Sequence, residues 1–140
     1  DRARGEGGAA DRMTMETDLR TLLQAGLAPL VPPGSINWAE HPQGVDRPYV
    51  VLTLPSDTEG ATMQGRDGLR QSRVQVDCYG PTFASVAAIR VAVMDTLHGY
   101  RGGNFRGVFF DGARSLREPG DDAVHRLSMD FLTHWRAENA

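Results

Sequence analysis

The residues best equipped for chemistry are one cysteine, four histidines, eighteen carboxylates and two glycine-rich stretches. Cys78 follows Val76 on the apolar side of an alternating run, so it reads as a buried structural thiol. A reactive thiolate needs a cationic, partly exposed setting. His41, His98, His125 and His134 show no H-x-x-x-H or other metal-ligand spacing. Asp121, Asp122 and His125 cluster where a solvated turn is expected. Gly60–Asp67 (GATMQGRD) echoes a phosphate loop, but Arg66-Asp67 stand where Lys and Ser/Thr are required, and a strand rather than a helix follows. Residues 99–107 (GYRGGNFRG) are also glycine-rich, yet no helix N-terminus follows them to hold an anion. No Ser or Cys sits in a nucleophile elbow. The expectation is a chain with no catalytic residue, no metal site and no cofactor.

Composition narrows the class further. With 140 residues, 40% apolar and 24% charged, the chain fits one globular domain. A single cysteine excludes an internal disulfide framework and fits a reducing compartment. No apolar stretch approaches membrane-spanning length, and residues 1–13 lack the apolar core of a signal peptide. The net charge is −3, and all fifteen basic residues are Arg, scattered along the chain. That is a poor basis for sequence-independent nucleic-acid binding, which relies on clustered positive charge.

The elements follow from periodicity. Residues 1–13 have no apolar pattern and read as an extended arm or as upstream residues, with Met13 and Met15 both possible starts. Met15, Leu19, Leu22, Leu23 and Leu27 form one helical stripe; Thr14 can cap its start, and Gly26 and the prolines at 29, 32 and 33 end it. The period then changes to two. A short strand over Ile36–Trp38 and a β-prone run Tyr49–Leu54 precede a long polar connection, residues 56–68. Leu69–Tyr79 alternates, with Val74, Val76 and Cys78 on one face and Arg73, Gln75 and Asp77 on the other. Gly80-Pro81-Thr82 introduces a second helix, with Pro81 in its first turn. Its buried face is expected from Phe83, Val86, Ala87, Ile89, Val93, Met94 and Leu97, and Gly99 closes it. A strand through Val108–Phe110, bent at Gly112, places Phe109 and Phe110 on opposite faces. A turn over Arg117–Ala123 leads to a last strand in which Leu127, Met129, Phe131, Thr133 and Trp135 alternate with polar residues. The order α-β-β-β-α-β-β predicts an α+β domain: an antiparallel sheet of about four strands with two helices packed on one face. It spans residues 14–136, with a C-terminal tail at 137–140. Val74, Val76, Cys78, Phe83, Val86, Met94, Leu97, Leu127, Met129 and Phe131 are the expected mutual core.

The blocks ETDLRTLLQAGL, INWAEHPQGVDRPYVVL, GLRQSRVQVDCYGPTFASVAAI, MDTLHGYRG, FFDGARSLREP and RLSMDFLTHW, in that order, resemble the tail terminator (tail completion) proteins of long-tailed bacteriophages and gene transfer agents. The resemblance covers residues 14–136, and its most specific part is the R-x-Q-V-D-x-Y-G block, Arg73–Gly80. It implies a structural virion protein without catalytic activity, assembled in the bacterial host cytoplasm. Such subunits are expected to form a hexameric ring at the head-proximal end of the tail. The ring stops polymerisation of the tail tube, joins it to head-neck connector proteins and passes DNA through its lumen. A head-neck connector ring is the alternative within the structural class, and a small soluble enzyme is the alternative outside it.

A cyclic ring joins two unlike patches per subunit. The loops 56–68 and 99–107, with Arg70 just past the first, supply the expected interface residues Arg66, Asp67, Arg70, Tyr100, Arg101, Phe105 and Arg106. The sheet face away from the helices carries Arg73, Gln75, Asp77, Arg126, Ser128 and Asp130. Of these, Gln75, Asp77, Ser128 and Asp130 are the expected lumen-facing groups.

Overall fold

The computed structural model describes residues 14–39, 48–55, 69–117 and 125–136. The N-terminal arm, the 56–68 connection with Arg66 and Asp67, the Asp121–Asp122 pair and the C-terminal tail lie outside the described residues. The elements are α1 (Met15–Gly26), a 3-10 turn (Pro33–Ser35), β1 (Ile36–Trp38), β2 (Tyr49–Thr53), β3 (Leu69–Gly80), α2 (Phe83–Leu97), β4 (Phe105–Arg117) and β5 (His125–Arg136).

Both helices begin on side-chain caps. Thr14 Oγ1 accepts from the Thr17 amide at 3.1 Å, and Glu16 and Asp18 lie in the first turn, against the positive end of the helix dipole. At α2, Thr82 and Ser85 form a reciprocal capping box. Pro81 therefore precedes the cap rather than occupying the first helical turn, because Thr82 needs extended backbone to present its hydroxyl. Past the end of α2, Gly99 has φ +79, the left-handed conformation that glycine adopts without strain.

Among the described residues the sheet has five strands, one more than expected, in the order β1-β2-β3-β5-β4. The short β1 pairs parallel to β2, and every other pair is antiparallel. Strands β3 and β4, joined through α2, both run antiparallel to β5, which inserts between them as in a split βαβ unit. A register shift between Phe110 and Gly112 bulges β4 at the expected bend and leaves Asp111 as the extra residue. The strand continues through Arg117, past the start of the expected turn.

Both helices pack on one face of the sheet. The core joins Met15, Leu19 and Leu23 of α1 and Val86, Ile89, Val93 and Leu97 of α2 to Val50, Leu52, Val74, Val76, Cys78, Leu127, Met129 and Phe131. The helices cross closely: a Cβ at Gly26 would collide with the Thr96 side chain, so only glycine permits this approach. Met94 is partly buried against the core. Phe83 is 65% exposed, contrary to its expected place inside. The buried stripe of α2, extended back one turn, falls on the cap Thr82 and leaves Phe83 about 60° off it at 3.6 residues per turn. Among the described residues, no helix is long and apolar enough to cross a membrane.

Candidate interaction surfaces

Burial, and then the neighbouring charge of Asp77, push the Cys78 thiol up to about 12. It is a core side chain facing away from solvent. Among the described residues no three His, Cys, Asp or Glu side chains are grouped to hold a metal ion.

On the sheet face away from the helices, cross-strand register sets Gln75 opposite Asp130 and Asp77 opposite Ser128. All four lie on the expected face, but two of them are not open to it. Asp77 is 4% exposed and Ser128 1%. Longer neighbours close over them: Gln75 Nε2 donates to Asp77 Oδ2 at 2.9 Å, and Arg126 Nη2 reaches the same oxygen at 3.3 Å. Arg126 also lies over the Tyr79 ring, which stacks on Tyr49 at 4.7 Å. Further along, Arg73 pairs with Asp111 at 2.7 Å and, with Arg114, flanks Asp130 at 3.9 and 3.8 Å. Three arginines thus meet three aspartates, with the guanidinium of Arg114 outermost.

The expected interface residues divide. Arg70 faces the helix layer and is spent inside the subunit, donating to both Glu16 carboxylate oxygens at 3.0 and 2.8 Å. Burial acts to raise the Glu16 pKa, but hydrogen bonding from Arg70 and from its own backbone amide, together with the Arg70 charge, outweighs it and holds the carboxyl below its ordinary value. Phe105 is a core residue at the start of β4, not a loop residue, and Tyr100 packs edge-on against it at 5.9 Å. Tyr100 itself stays half-buried. Arg101 and Arg106 remain exposed.

A surface that the residue patterns did not single out lies on α2. Its outward side presents Phe83, Ala84, Ala88 and Val91, the last 59% exposed. The signal was present in FASVAAIRVAVMDTL: fifteen residues with only Arg90 and Asp95 charged, too apolar for a helix with one solvated face. Beside it runs a cleft of about 200 Å³ with Val86, Ala87 and Leu127 as floor and Phe83, Arg90, His125, Arg126 and Ser115 around it. Phe83 meets the His125 ring edge-on at 6.4 Å. The cleft borders β4, an edge strand of the sheet.

Comparison with known proteins places this architecture. The family model described as "Tail completion protein gp17" matches residues 17–135. No curated protein matches the chain. Among solved structures it is similar to a chain of the "Virion of native gene transfer agent (GTA) particle", with 16% identity and a TM-score of 0.60 over 93% of this chain and 98% of that one. At that identity the likeness concerns the fold.

Proposed function

We propose, from the premise that this chain belongs to the tail completion protein gp17 family, that it is a non-enzymatic structural subunit of a phage or gene transfer agent virion. In this reading it assembles into a ring, six-fold in symmetry, at the head-proximal end of the tail. The ring caps the tail tube, ends its polymerisation and docks the head-neck connector. The observation that carries the reading is the outward face of α2. A small domain that exposes Phe83 and Val91 on an almost uncharged helix has a surface made for another protein. The open edge of β4 lies alongside it.

DNA passage is assigned to the opposite sheet face. There Arg73, Arg114 and Arg126 are offset by Asp111, Asp130 and Asp77. A lumen whose arginines are already paired releases few counterions from a passing duplex and so holds it weakly. The lining is carried by Gln75, Asp130 and their arginine neighbours; Asp77 and Ser128 support it from beneath.

Light scattering coupled to size exclusion, followed by negative-stain imaging with and without tail tube protein, tests the reading. Six-membered rings that cap tubes of fixed length are expected. Tubes that grow equally long with or without the protein would overturn the terminator role, and rings that bind only the head side would assign it to the connector instead.

A further inference from the structure

The cleft beside α2 asks for a specific occupant. Its floor is apolar and wide enough for one unbranched side chain, while none of the described residues lining it is acidic. Arg90 stands at its rim, exposed and without an ion-pair partner among the described residues. A complementary segment carries carboxylates and one flexible apolar side chain. The sequence holds such a segment in the β2–β3 connection, residues 56–68, SDTEGATMQGRDG, with Asp57 and Glu59 preceding Met63.

Topology forbids this segment from filling the cleft of its own subunit. It re-enters the sheet at Leu69, which pairs with Arg136 at one end of β5, whereas the cleft lies beside Leu127 near the other. Nine residues of strand separate those levels, about 30 Å at 3.3 Å per residue. Met63, the side chain the apolar floor would take, stands six residues before Leu69, and six fully extended residues span only about 20 Å. The contact must therefore be made between copies, and it joins unlike surfaces, as a closed ring requires.

Resting on the ring reading above, we propose that the cleft and the Phe83–Val91 side of α2 receive residues 56–68 of the neighbouring copy, with Asp57 and Glu59 against Arg90 and Met63 on the apolar floor.

Cysteine pairing tests this, because the native Cys78 is buried and the introduced thiols are the reactive ones. Copies carrying only Ala88→Cys are mixed with copies carrying only Ala61→Cys under mild oxidation. The mixed disulfide dimer is expected at least tenfold above either homodimer, and the double variant should give a ladder ending at the closed ring. Arg90→Glu should weaken assembly at least tenfold with an unchanged melting temperature, and Asp57→Arg with Glu59→Arg in the same chain should restore it. Ala88→Cys homodimers in excess would mean that α2 packs on itself, and rings without any cross-link would place the contact elsewhere; either overturns the docking while the ring stands. Chains that remain monomeric even with tail tube protein would instead remove the ring reading, and this contact with it.

Discussion

The two helices lie on the same sheet face and bury similar apolar stripes, yet they are held in different ways. Helix α1 is tied down by its polar flanks. Arg20 Nε donates to the Ile36 carbonyl at 2.6 Å, Gln24 to the Pro33 carbonyl at 3.1 Å, and Glu16 is gripped by Arg70. The indoles of Trp38 and Trp135 donate to the Glu16 carbonyl and the Asp18 carboxylate, at 2.9 and 2.8 Å. On α2 the side-chain hydrogen bonds found among the described residues between Thr82 and Leu97 stay within the helix and its N-cap: the Thr82–Ser85 box and Thr96 to the Ala92 carbonyl. One tether to the sheet sits at its far end, where the C-cap His98 Nδ1 accepts from the Phe110 amide at 3.1 Å. Its outer side is nearly as apolar as its inner one. Polar tethers complete α1 within the subunit, whereas α2 keeps a second apolar side that the described residues leave exposed. The difference separates a helix built for the fold from a helix built for the fold and a neighbour.

Substitutions beneath the helices should show that their inner faces are equivalent. Phe131 is fully buried on β5, and Phe131→Ala is expected to cost about 3–5 kcal/mol by leaving a cavity. Leu23→Ala on α1 and Ile89→Ala on α2 should each cost about 2–5 kcal/mol in urea unfolding. A loss below about 1 kcal/mol at Ile89 alone would mean that α2 is only loosely seated, and the contrast would become one of packing rather than of outer surface.

Where the helices touch, Gly26→Ala should destabilise by about 1–3 kcal/mol through overpacking, although alanine is the better helix former by about 1 kcal/mol. The added methyl meets the Thr96 hydroxyl and methyl, so Thr96→Ala in the same chain should recover part of the loss, the Thr96 Cβ itself still lying at 2.9 Å. Equal losses in the single and double variants would move the clash elsewhere and uncouple the two helices.

How much of this was legible in the sequence depends on how local each feature is. Element order, the Thr14 cap, the bend at Gly112 and the opposed Phe109 and Phe110 follow from period and turn chemistry within a few residues. Strand order did not, because nothing local says that β5 inserts between β3 and β4, or that β1 joins parallel to β2. The fate of Arg70 depends on Glu16, fifty-four residues away in the chain. Alternation placed Asp77 and Ser128 on the correct face but could not show that Arg126 and Gln75 would fold over it. The outer side of α2 was readable, since a helix with two charges in fifteen residues lacks a solvated side.

The tether on α1 should also be visible in acid. The Glu16 carboxyl is held below its ordinary value of 4.5, so its contribution is fully present above that pH. It is lost as pH falls through the lowered folded-state value, where the carboxylate takes up a proton. Both partners are partly exposed, so Glu16→Gln is expected to cost about 1 kcal/mol at pH 7. The same variant should flatten the acid limb of the stability curve. An acid limb identical to wild type would show that Arg70 does not hold α1.

The smallest expected effect on the isolated subunit is the one that separates the helices most sharply. Ala25 on α1 and Val91 on α2 are both exposed. Replacing either by lysine removes no buried contact, so each should change unfolding stability by about 0.5 kcal/mol or less. At Val91 lysine is also the slightly better helix former, by a few tenths of a kcal/mol. Assembly should respond differently. Val91→Lys places a charge that must be desolvated on the side of α2 assigned to a neighbour, so light scattering should find it monomeric at concentrations where wild type and Ala25→Lys form rings. If both lysine variants assemble like wild type, the apolar outer side of α2 is not a contact surface; if both fail, α1 carries contacts too and the division of labour between the helices does not hold.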